Sequence, residues 1–374
     1  MLRVVSLMAR ATEILLPGSS RLGSSQVIIL GRHHRSSRGF LLSTVGLLTI
    51  LGSACASRES APFFKVRAVE GTIWLVGGRG YVSQDRGKSW DSRDFGFICD
   101  GDHHPSVVKH QISICGPKTL FHTFERALKV SEDGGRSWRV IPFAKQASRG
   151  PAAVFFRDRL KGLVSDLDGH VYATEDGGST WVEVKGPYRP SGAVFRGNSA
   201  WVVASRKLWK WDDSGAWSLV CKLASTREMT ACGDALWIGG YDGYVVSYRL
   251  NSGELKTYEP PVSAEHGVRA TIEDIGCTGS GVAILTASDL LVLPRGGSKW
   301  HRMNAERFDA GWALDGLDGE LIVAGGQWRD WLLEQALRPL TGGGQSRSWK
   351  RFAVICQSSR NGGCKALPMD DAHR

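Results

Sequence analysis

Side chains able to bind a metal ion lie close together at one place in the sequence. Two aspartates and three histidines fall within eleven residues: Asp100, Asp102, His103, His104 and His110. Carboxylates and imidazoles ligate zinc in many proteins, but this spacing is not that of a recognised zinc or calcium motif. We therefore predict a solvated loop here, with no metal and no cofactor.

Eight cysteines offer thiol chemistry. Six of them form three pairs that are near in sequence: Cys99 with Cys115, Cys221 with Cys232, and Cys356 with Cys364. Disulfides persist in oxidising compartments, so these pairs are predicted disulfides if the protein is exported. Cys277 is left over and is predicted to be a small buried residue. The alternative is that all seven cysteines beyond the N-terminal Cys55 stay reduced.

The most regular chemical feature is an aspartate that recurs in three gapless copies of the pattern S/T-x-D-x-G-x-S/T-W. The copies contain Ser83, Asp85, Gly87 and Trp90; Ser131, Asp133, Gly135 and Trp138; and Thr174, Asp176, Gly178 and Trp181. The hydroxyl and the carboxylate can accept backbone N–H bonds within a hairpin turn, and the glycine supplies a positive φ. The tryptophan then returns to the sheet and buries apolar surface. We predict that these aspartates build turns and are not catalytic.

Weaker copies of the pattern continue along the chain and define a repeat. They begin at Asp213, Asn251, Gly296 and Gly344, and the aromatic anchors of the full series are Trp90, Trp138, Trp181, Trp217, Tyr258, Trp300 and Trp349. Anchors 36 to 49 residues apart, with short alternating strands between them, are typical of β-propeller blades. The sequence predicts an all-β, seven-bladed propeller, with repeats over about 62–356 of a domain spanning 57–374.

Charge and composition argue against nucleic-acid binding. The chain has 374 residues, 46 glycines and a net charge of +10, of which residues 1–56 supply six arginines and one glutamate. The remaining 41 basic and 36 acidic residues form no basic stripe interleaved with aromatics, so nucleic acid is not an expected partner.

Residues 1–56 have the features of a targeting segment. Basic residues 32–38 precede a short apolar run, 39–52, and then the small residues Ser53, Ala54, Cys55, Ala56 and Ser57. This order is typical of an export signal, and the run is too short to span a bilayer comfortably. Two outcomes stay open: cleavage after Ala56, or lipidation of Cys55, which would be the only membrane attachment. Residues 1–38 indicate a misplaced translation start; a transit peptide to the plastid lumen is the alternative.

The third repeat, 162–181, resembles the blades of the photosystem II assembly and stability factor family. The wider class is that of sialidase-like Asp-box (bacterial neuraminidase repeat) and YVTN-type propellers. The resemblance is clear in the first three units and fades beyond Trp217. It implies an exported binding or assembly module with a protein partner in the cell envelope or periplasm, lipid-anchored or secreted, and leaves a glycan as a further ligand.

The class also contains glycosidases, so a secreted sialidase-like enzyme is the alternative function. Sialidases resemble one another in an early F/Y-R-I-P motif, an arginine triad and a Tyr–Glu pair. Here the matching stretch, 63–67, reads FFKVR without the proline, and no arginine maps onto the triad. We therefore predict no catalytic residues.

Recognition by a propeller falls to its loops, because its strands are committed to packing. Two connections are longer than the repeat needs, 94–107 and 327–346. The second contains the predicted binding residues Trp328, Arg329, Trp331 and Arg338. Exposed tryptophan and arginine are frequent interface hot spots; the alternative is that Trp328 and Trp331 close the ring by packing on the first blade.

Overall fold

A computed structural model describes residues 63–77, 79–95, 111–212, 214–262, 269–278, 281–287, 289–303, 311–317, 320–326, 351–357 and 364–367. The chain divides into two units, 1–52 and 53–374, and every described residue belongs to the second. Within those ranges no helix is long and apolar enough to cross a membrane.

The described residues form seven four-stranded antiparallel sheets, each a meander of consecutive strands. Sheet 1 holds β1 (Lys65–Val69), β2 (Thr72–Val76), β3 (Gly80–Ser83) and β4 (Asp91–Arg93). Sheet 2 holds β5 (Ile112–Ile114), β6 (Leu120–Phe124), β7 (Ala127–Ser131) and β8 (Arg139–Pro142). Sheet 3 holds β9 (Pro151–Phe156), β10 (Gly162–Asp166), β11 (Val171–Thr174) and β12 (Val182–Val184). Sheet 4 holds β13 (Pro190–Arg196), β14 (Ser199–Ala204), β15 (Lys207–Trp211) and β16 (Trp217–Lys222).

The second half of the chain repeats the same order. Sheet 5 holds β17 (Glu228–Cys232), β18 (Ala235–Gly239), β19 (Val245–Arg249) and β20 (Leu255–Tyr258). Sheet 6 holds β21 (Asp274–Thr278), β22 (Gly281–Leu285), β23 (Leu290–Pro294) and β24 (His301–Arg302). Sheet 7 holds β25 (Gly311–Leu317), β26 (Glu320–Gly326), β27 (Arg351–Gln357) and β28 (Cys364–Ala366). The all-β propeller predicted from the sequence is confirmed.

Burial changes steadily from the second strand of a sheet to the fourth. All five residues of β2 and of β10 are buried, because neighbouring sheets cover both of their faces. The outer strands β4 and β12 consist of exposed or half-buried residues. The central strands therefore read as short continuous apolar runs, and the outer strands as polar ones.

Apolar clusters between neighbouring sheets close the ring. One cluster joins sheets 1 and 2 through Trp74 and Ile112, and the next joins sheets 2 and 3 through Phe121 and Phe156, whose rings stack at 3.5 Å. Four further clusters continue the series from sheet 3 to sheet 7. The last joins Ile322 and Ala324 of sheet 7 to the sheet 1 core. Each sheet is thus packed on both faces, and the first sheet packs against the last.

The first strands of the sheets are also tied to one another by polar contacts. Ser113 Oγ accepts a 2.8 Å bond from the Phe156 backbone N–H of the next sheet. Lys65 Nζ donates to the Ile112 carbonyl of sheet 2 at 2.5 Å. Because these bonds cross from sheet to sheet, they fix the relative height of neighbouring blades as well as their spacing.

Tyr258 does not take the tryptophan role predicted for it. Trp90, Trp138 and Trp181 each lie just before the fourth strand and pack against the preceding sheet. Tyr258 instead ends β20, opposite Val245 at the start of β19, and packs in the cluster between sheets 5 and 6. Sheet 5 therefore turns its outer aromatic side chain towards the sheet that follows it.

The seventh unit also differs from its prediction. Trp349 was predicted to be an aromatic anchor like Trp90, which precedes a fourth strand. The strand that follows Trp349, β27, is instead the third strand of sheet 7. Trp349 itself lies outside the described residues. The fourth strand is β28, and Cys356 and Cys364 are direct partners in the β27–β28 register. Both cysteines therefore lie in strands of the last blade.

Candidate functional site

The three predicted aspartate turns have the same hydrogen-bond geometry. In the first, Ser83 Oγ accepts the Gly87 backbone N–H at 2.7 Å and donates to Asp85 Oδ1 at 2.8 Å. Asp85 also accepts the backbone N–H of Ser89 at 2.9 Å and its hydroxyl at 2.6 Å. The corresponding bonds at Asp133 and Asp176 agree with these values within about 0.1 Å.

Hydrogen bonding lowers the pKa of all three carboxyl groups. The Ser89 hydroxyl has the largest effect on Asp85, followed by the Ser89 N–H, and together with Ser83 they lower the pKa of Asp85 to about 2. Ser137 lowers the pKa of Asp133 further, and Thr180 lowers that of Asp176. A carboxylate whose two oxygens both accept bonds inside its own turn has a structural role.

Glycine and tryptophan act in these turns as predicted. Gly87, Gly135 and Gly178 have φ of 82°, 78° and 88°, which a β-carbon disfavours. Trp181 packs edge-on against Phe143, which follows β8 of sheet 2, and its indole N–H donates to the Pro142 carbonyl at 3.2 Å. Each turn therefore also joins its sheet to the preceding one.

A fourth turn of this kind uses a different residue from the predicted Asp213. Asp212 Oδ1 accepts the backbone N–H of Ser214 at 3.0 Å and of Ala216 at 3.2 Å. Asp213 lies outside the described residues. Asp212 lies five residues before Trp217, as Asp85 does before Trp90, so the turn has the same length. The sequence pattern was offset by one position because the glycine is shifted: Gly215 follows Asp212 by three residues.

A cavity of about 460 Å³ runs along the first strands of the ring and is the candidate functional site. It is lined by residues of β1, β5, β9, β13, β17, β21 and β25. Ligand sites are commonly cavities of this size with a few convergent polar groups. We call this cavity the channel.

Basic side chains of the channel come from sheets 1, 3 and 4. They are Lys65, Arg67, Arg157 and Arg196. Arg157 donates to Asn198 Oδ1 at 3.2 Å and pairs with Asp158 at 2.7 Å. The Arg196 side chain is exposed and has no hydrogen bond or ion pair within the part of the chain that the structure describes. Its guanidinium is therefore available to a ligand.

Acidic side chains of the channel come from the opposite arc, on sheets 5 to 7, and were not predicted as functional. They are Glu228, Asp274 and Asp315. Asp274 Oδ2 accepts the backbone N–H of Leu314 at 2.9 Å, and Asp315 Oδ2 accepts that of Ala68 at 2.8 Å. Both bonds tie a first strand to that of the next sheet. Asp315 lies in β25, where burial raises its pKa and Arg67, 3.5 Å away, opposes that effect.

The predicted disulfides are partly wrong. Cys232 is bonded to Cys277, with a Cα–Cα distance of 5.4 Å, and Cys221 is a free thiol. The pairing follows neighbouring sheets, not nearness in sequence. Cys115 is also a free thiol that lines the channel, and burial raises its pKa to about 12. Its predicted partner, Cys99, lies outside the described residues.

Several other predicted residues also lie outside the described residues. They are Cys55 with the whole N-terminal segment, the Asp100–His110 group, and the proposed binding residues Trp328, Arg329, Trp331 and Arg338. In the described ranges, no three His, Cys, Asp or Glu side chains are grouped as metal ligands.

Comparison with known proteins shows the fold. No family model and no curated protein sequence matches the chain. It is similar in structure to YCF48 bound to a D1 peptide, with 18% identity and a TM-score of 0.54 over 71% of this chain and 91% of that one. YCF48 from Cyanidioschyzon merolae is 16% identical, with a TM-score of 0.50 over 71% of this chain and 93% of that one. PorZ is a surface component of the type-IX secretion system of Porphyromonas gingivalis. It is 10% identical, with a TM-score of 0.53 over 83% of this chain and 39% of that one. Likeness at these identities establishes a β-propeller and not an activity.

Proposed function

We propose that this chain is an exported, non-enzymatic β-propeller that binds an acidic peptide segment of a protein partner in the cell envelope. The observation that carries the proposal is the charge distribution in the channel. Asp274 and Asp315 are engaged by backbone N–H groups and, for Asp315, by Arg67. Arg196 is exposed at the same cavity. Glu228 also lines the channel but is buried, so the exposed charge that the channel presents to a ligand is positive.

The structural neighbours support a protein partner. One is YCF48 in complex with a D1 peptide, and another is PorZ, which its description assigns to a bacterial secretion system. A protein-binding role in this chain requires no catalytic group, which agrees with the structural use of its turn aspartates.

The aspartate turns also support a closer relationship. Their sequence pattern and repeated hydrogen bonds favour membership of the Asp-box class of sialidase-like propellers. The glycosidase activity found in part of that class is not favoured, because the turn carboxylates are used inside their own turns.

Export is proposed from the N-terminal sequence. The basic stretch, the apolar run 39–52 and the small residues that follow support either cleavage after Ala56 or lipidation at Cys55. The Cys232–Cys277 disulfide supports an oxidising compartment, the periplasm or cell surface, with the plastid lumen as the alternative.

Binding of a labelled octaglutamate peptide, followed by fluorescence anisotropy, tests the proposal. The Arg196→Glu variant should bind about tenfold more weakly than the native chain, since a charge that attracted the ligand now repels it. Binding should also weaken as the salt concentration rises.

The matched control is Arg139→Glu, which makes the same charge change at an exposed position of β8 far from the channel lining. It should leave the affinity unchanged. An equal loss of affinity in both variants would mean that only the net charge of the protein matters. Turnover of a sialylated or other glycan by the native chain would show that the protein is an enzyme and would overturn the proposal.

A further inference from the structure

A second and larger cavity lies between sheets 5 and 6. Its volume is about 630 Å³, within the usual range of ligand sites. Its walls come from β18, β19 and β20 on one side and from β22 and β23 on the other. It shares no lining residue with the channel. We call it the interblade cavity.

One wall of the interblade cavity is aromatic. Trp237 of β18 and Tyr258 of β20 both line it, with ring centroids 4.7 Å apart and planes inclined by 36°. Tyr258 is there because it faces sheet 6, unlike the tryptophan anchors, which face the preceding sheet. Val282 and Leu293 lie across the cavity. A planar apolar group can therefore be held between an aromatic and an aliphatic surface.

A covalent bond fixes the two sides of the cavity. Cys232 of β17 and Cys277 of β21 both belong to the lining, and their disulfide joins sheet 5 to sheet 6. The distance between the two sheets is therefore set before any ligand arrives. A preformed site avoids part of the entropy cost of ordering that binding otherwise incurs.

The rim of the cavity is positively charged. Arg249, Lys256 and Arg295 line it and are exposed, against a single acidic lining residue, Asp234. Arg249 lies 4.0 Å from Asp234, so that pair largely cancels. Lys256 Nζ lies 5.1 Å from the centre of the Tyr258 ring, at the edge of the aromatic wall. Arg295 has no ion pair within the residues that the structure describes.

We propose that the interblade cavity binds a peptide segment in which an aromatic side chain is followed by carboxylates. The aromatic group would lie against Trp237 and Tyr258, and the carboxylates would reach Lys256 and Arg295. This inference rests on the proposed function for its class of partner. It adds a second site with its own specificity: the channel selects negative charge, and the interblade cavity also requires an aromatic group.

Binding of a labelled hexapeptide of sequence GFEEEG to the native protein, measured by fluorescence anisotropy, tests this proposal. It should bind about tenfold more tightly than GAEEEG, which lacks the aromatic group, and than GFKKKG, which reverses the charge. The Trp237→Ala variant and the Arg295→Glu variant should each weaken GFEEEG binding by about tenfold.

The matched control for the tryptophan is Trp209→Ala, a half-buried tryptophan of β15 outside the cavity, which should not change the affinity. Because Arg295 is exposed, its variant tests the site even if Trp237→Ala unfolds. Equal binding of GFEEEG and GAEEEG, or unchanged affinity in Arg295→Glu, would overturn the proposal. Binding of a labelled acidic oligosaccharide without binding of GFEEEG would overturn the assignment of a peptide ligand.

The outcome also separates the two sites. If Arg196→Glu abolishes GFEEEG binding and Arg295→Glu does not, the peptide binds in the channel, so the interblade proposal fails while the proposed function stands. Loss of octaglutamate binding with retained GFEEEG binding in Arg196→Glu would support two independent sites.

Discussion

The three aspartate turns show how a short pattern determines a local structure. All the bonds that define a turn join residues at most four positions apart, so each turn can form independently of the rest of the ring. Both oxygens of each aspartate accept bonds within that span. The carboxylates are therefore not free to bind a metal ion or to act as acids or bases, although a series of repeated aspartates could suggest such a role.

The Asp85→Asn variant should lower the stability of the protein at pH 7, because an amide nitrogen cannot accept the Ser89 hydroxyl hydrogen bond. The pKa of Asp85 is about 2 in the folded protein, against about 3.9 in an unfolded chain. Its contribution to stability is therefore complete above about pH 4 and is lost as the pH falls through about 2. The free energy of unfolding in urea, measured from pH 7 downwards, should show the difference between the two proteins shrinking in that window.

Glu183→Gln provides the control, since Glu183 is an exposed carboxylate of β12 outside any turn. Its effect should be small at every pH. A difference between Asp85→Asn and the native protein that stays constant down to about pH 2 would show that the charge of Asp85 contributes nothing to the turn.

At the scale of elements, sheet 5 departs from the repeat. Its outer strand carries Tyr258 towards sheet 6, where the other described anchors face backwards. The interface between sheets 5 and 6 thus contains a cavity in addition to a core. At this interface the Cys232–Cys277 bond adds a covalent link to the apolar packing.

Removing this disulfide with the double variant Cys232→Ser/Cys277→Ser should destabilise the protein. The bond closes a loop of 45 residues, for which the chain-entropy account gives about 4 kcal/mol. Chemical unfolding with and without dithiothreitol measures this directly. The reductant should lower the stability of the native protein and leave that of the double variant unchanged.

Cys221→Ser is the control because Cys221 is a free thiol. It should leave the effect of dithiothreitol intact. If the native protein is equally stable in both conditions, the bond does not form in solution, and a preformed interblade cavity loses its main support.

At the scale of the whole molecule, the first and last sheets meet without a shared strand. Sheet 7 closes on sheet 1 through an apolar cluster and through the bond from the Ala68 N–H to Asp315. Bonds also join β1 to β5, β5 to β9 and β21 to β25, so polar contacts link the first strands along much of the channel wall. The arrangement places basic residues on one arc of the wall and acidic residues on the other.

Export should be visible in the native protein as a new amino terminus. Mass spectrometry is expected to find either Cys55 carrying lipid or Ser57 without it, because these are the two products that the N-terminal sequence allows. An intact Met1 on a cytosolic protein would contradict both. Replacing Cys55 with serine distinguishes them, since lipidation requires the thiol and cleavage after Ala56 does not.

The sequence by itself determined the features that depend on neighbouring residues. The aspartate turns, their positive-φ glycines and the strands beside them follow from a pattern eight residues long, and a period set by aromatic anchors predicted the propeller. Asp212 and Tyr258 show the limit of this reasoning. The turn built by Asp212 was predicted one residue too late in the sequence. Tyr258 was correctly predicted to be an aromatic anchor, but it contacts the following sheet and not the preceding one.

Only the tertiary structure decided what lies between the sheets. Cys232 is eleven residues from Cys221 but bonds to Cys277, because the ends of β17 and β21 meet when two blades pack side by side. Asp274 and Asp315 read as ordinary polar residues, yet each bonds a strand some 40 or more positions away. The channel and the interblade cavity are formed by residues from several blades, and a pattern read along one chain does not contain the distances between them.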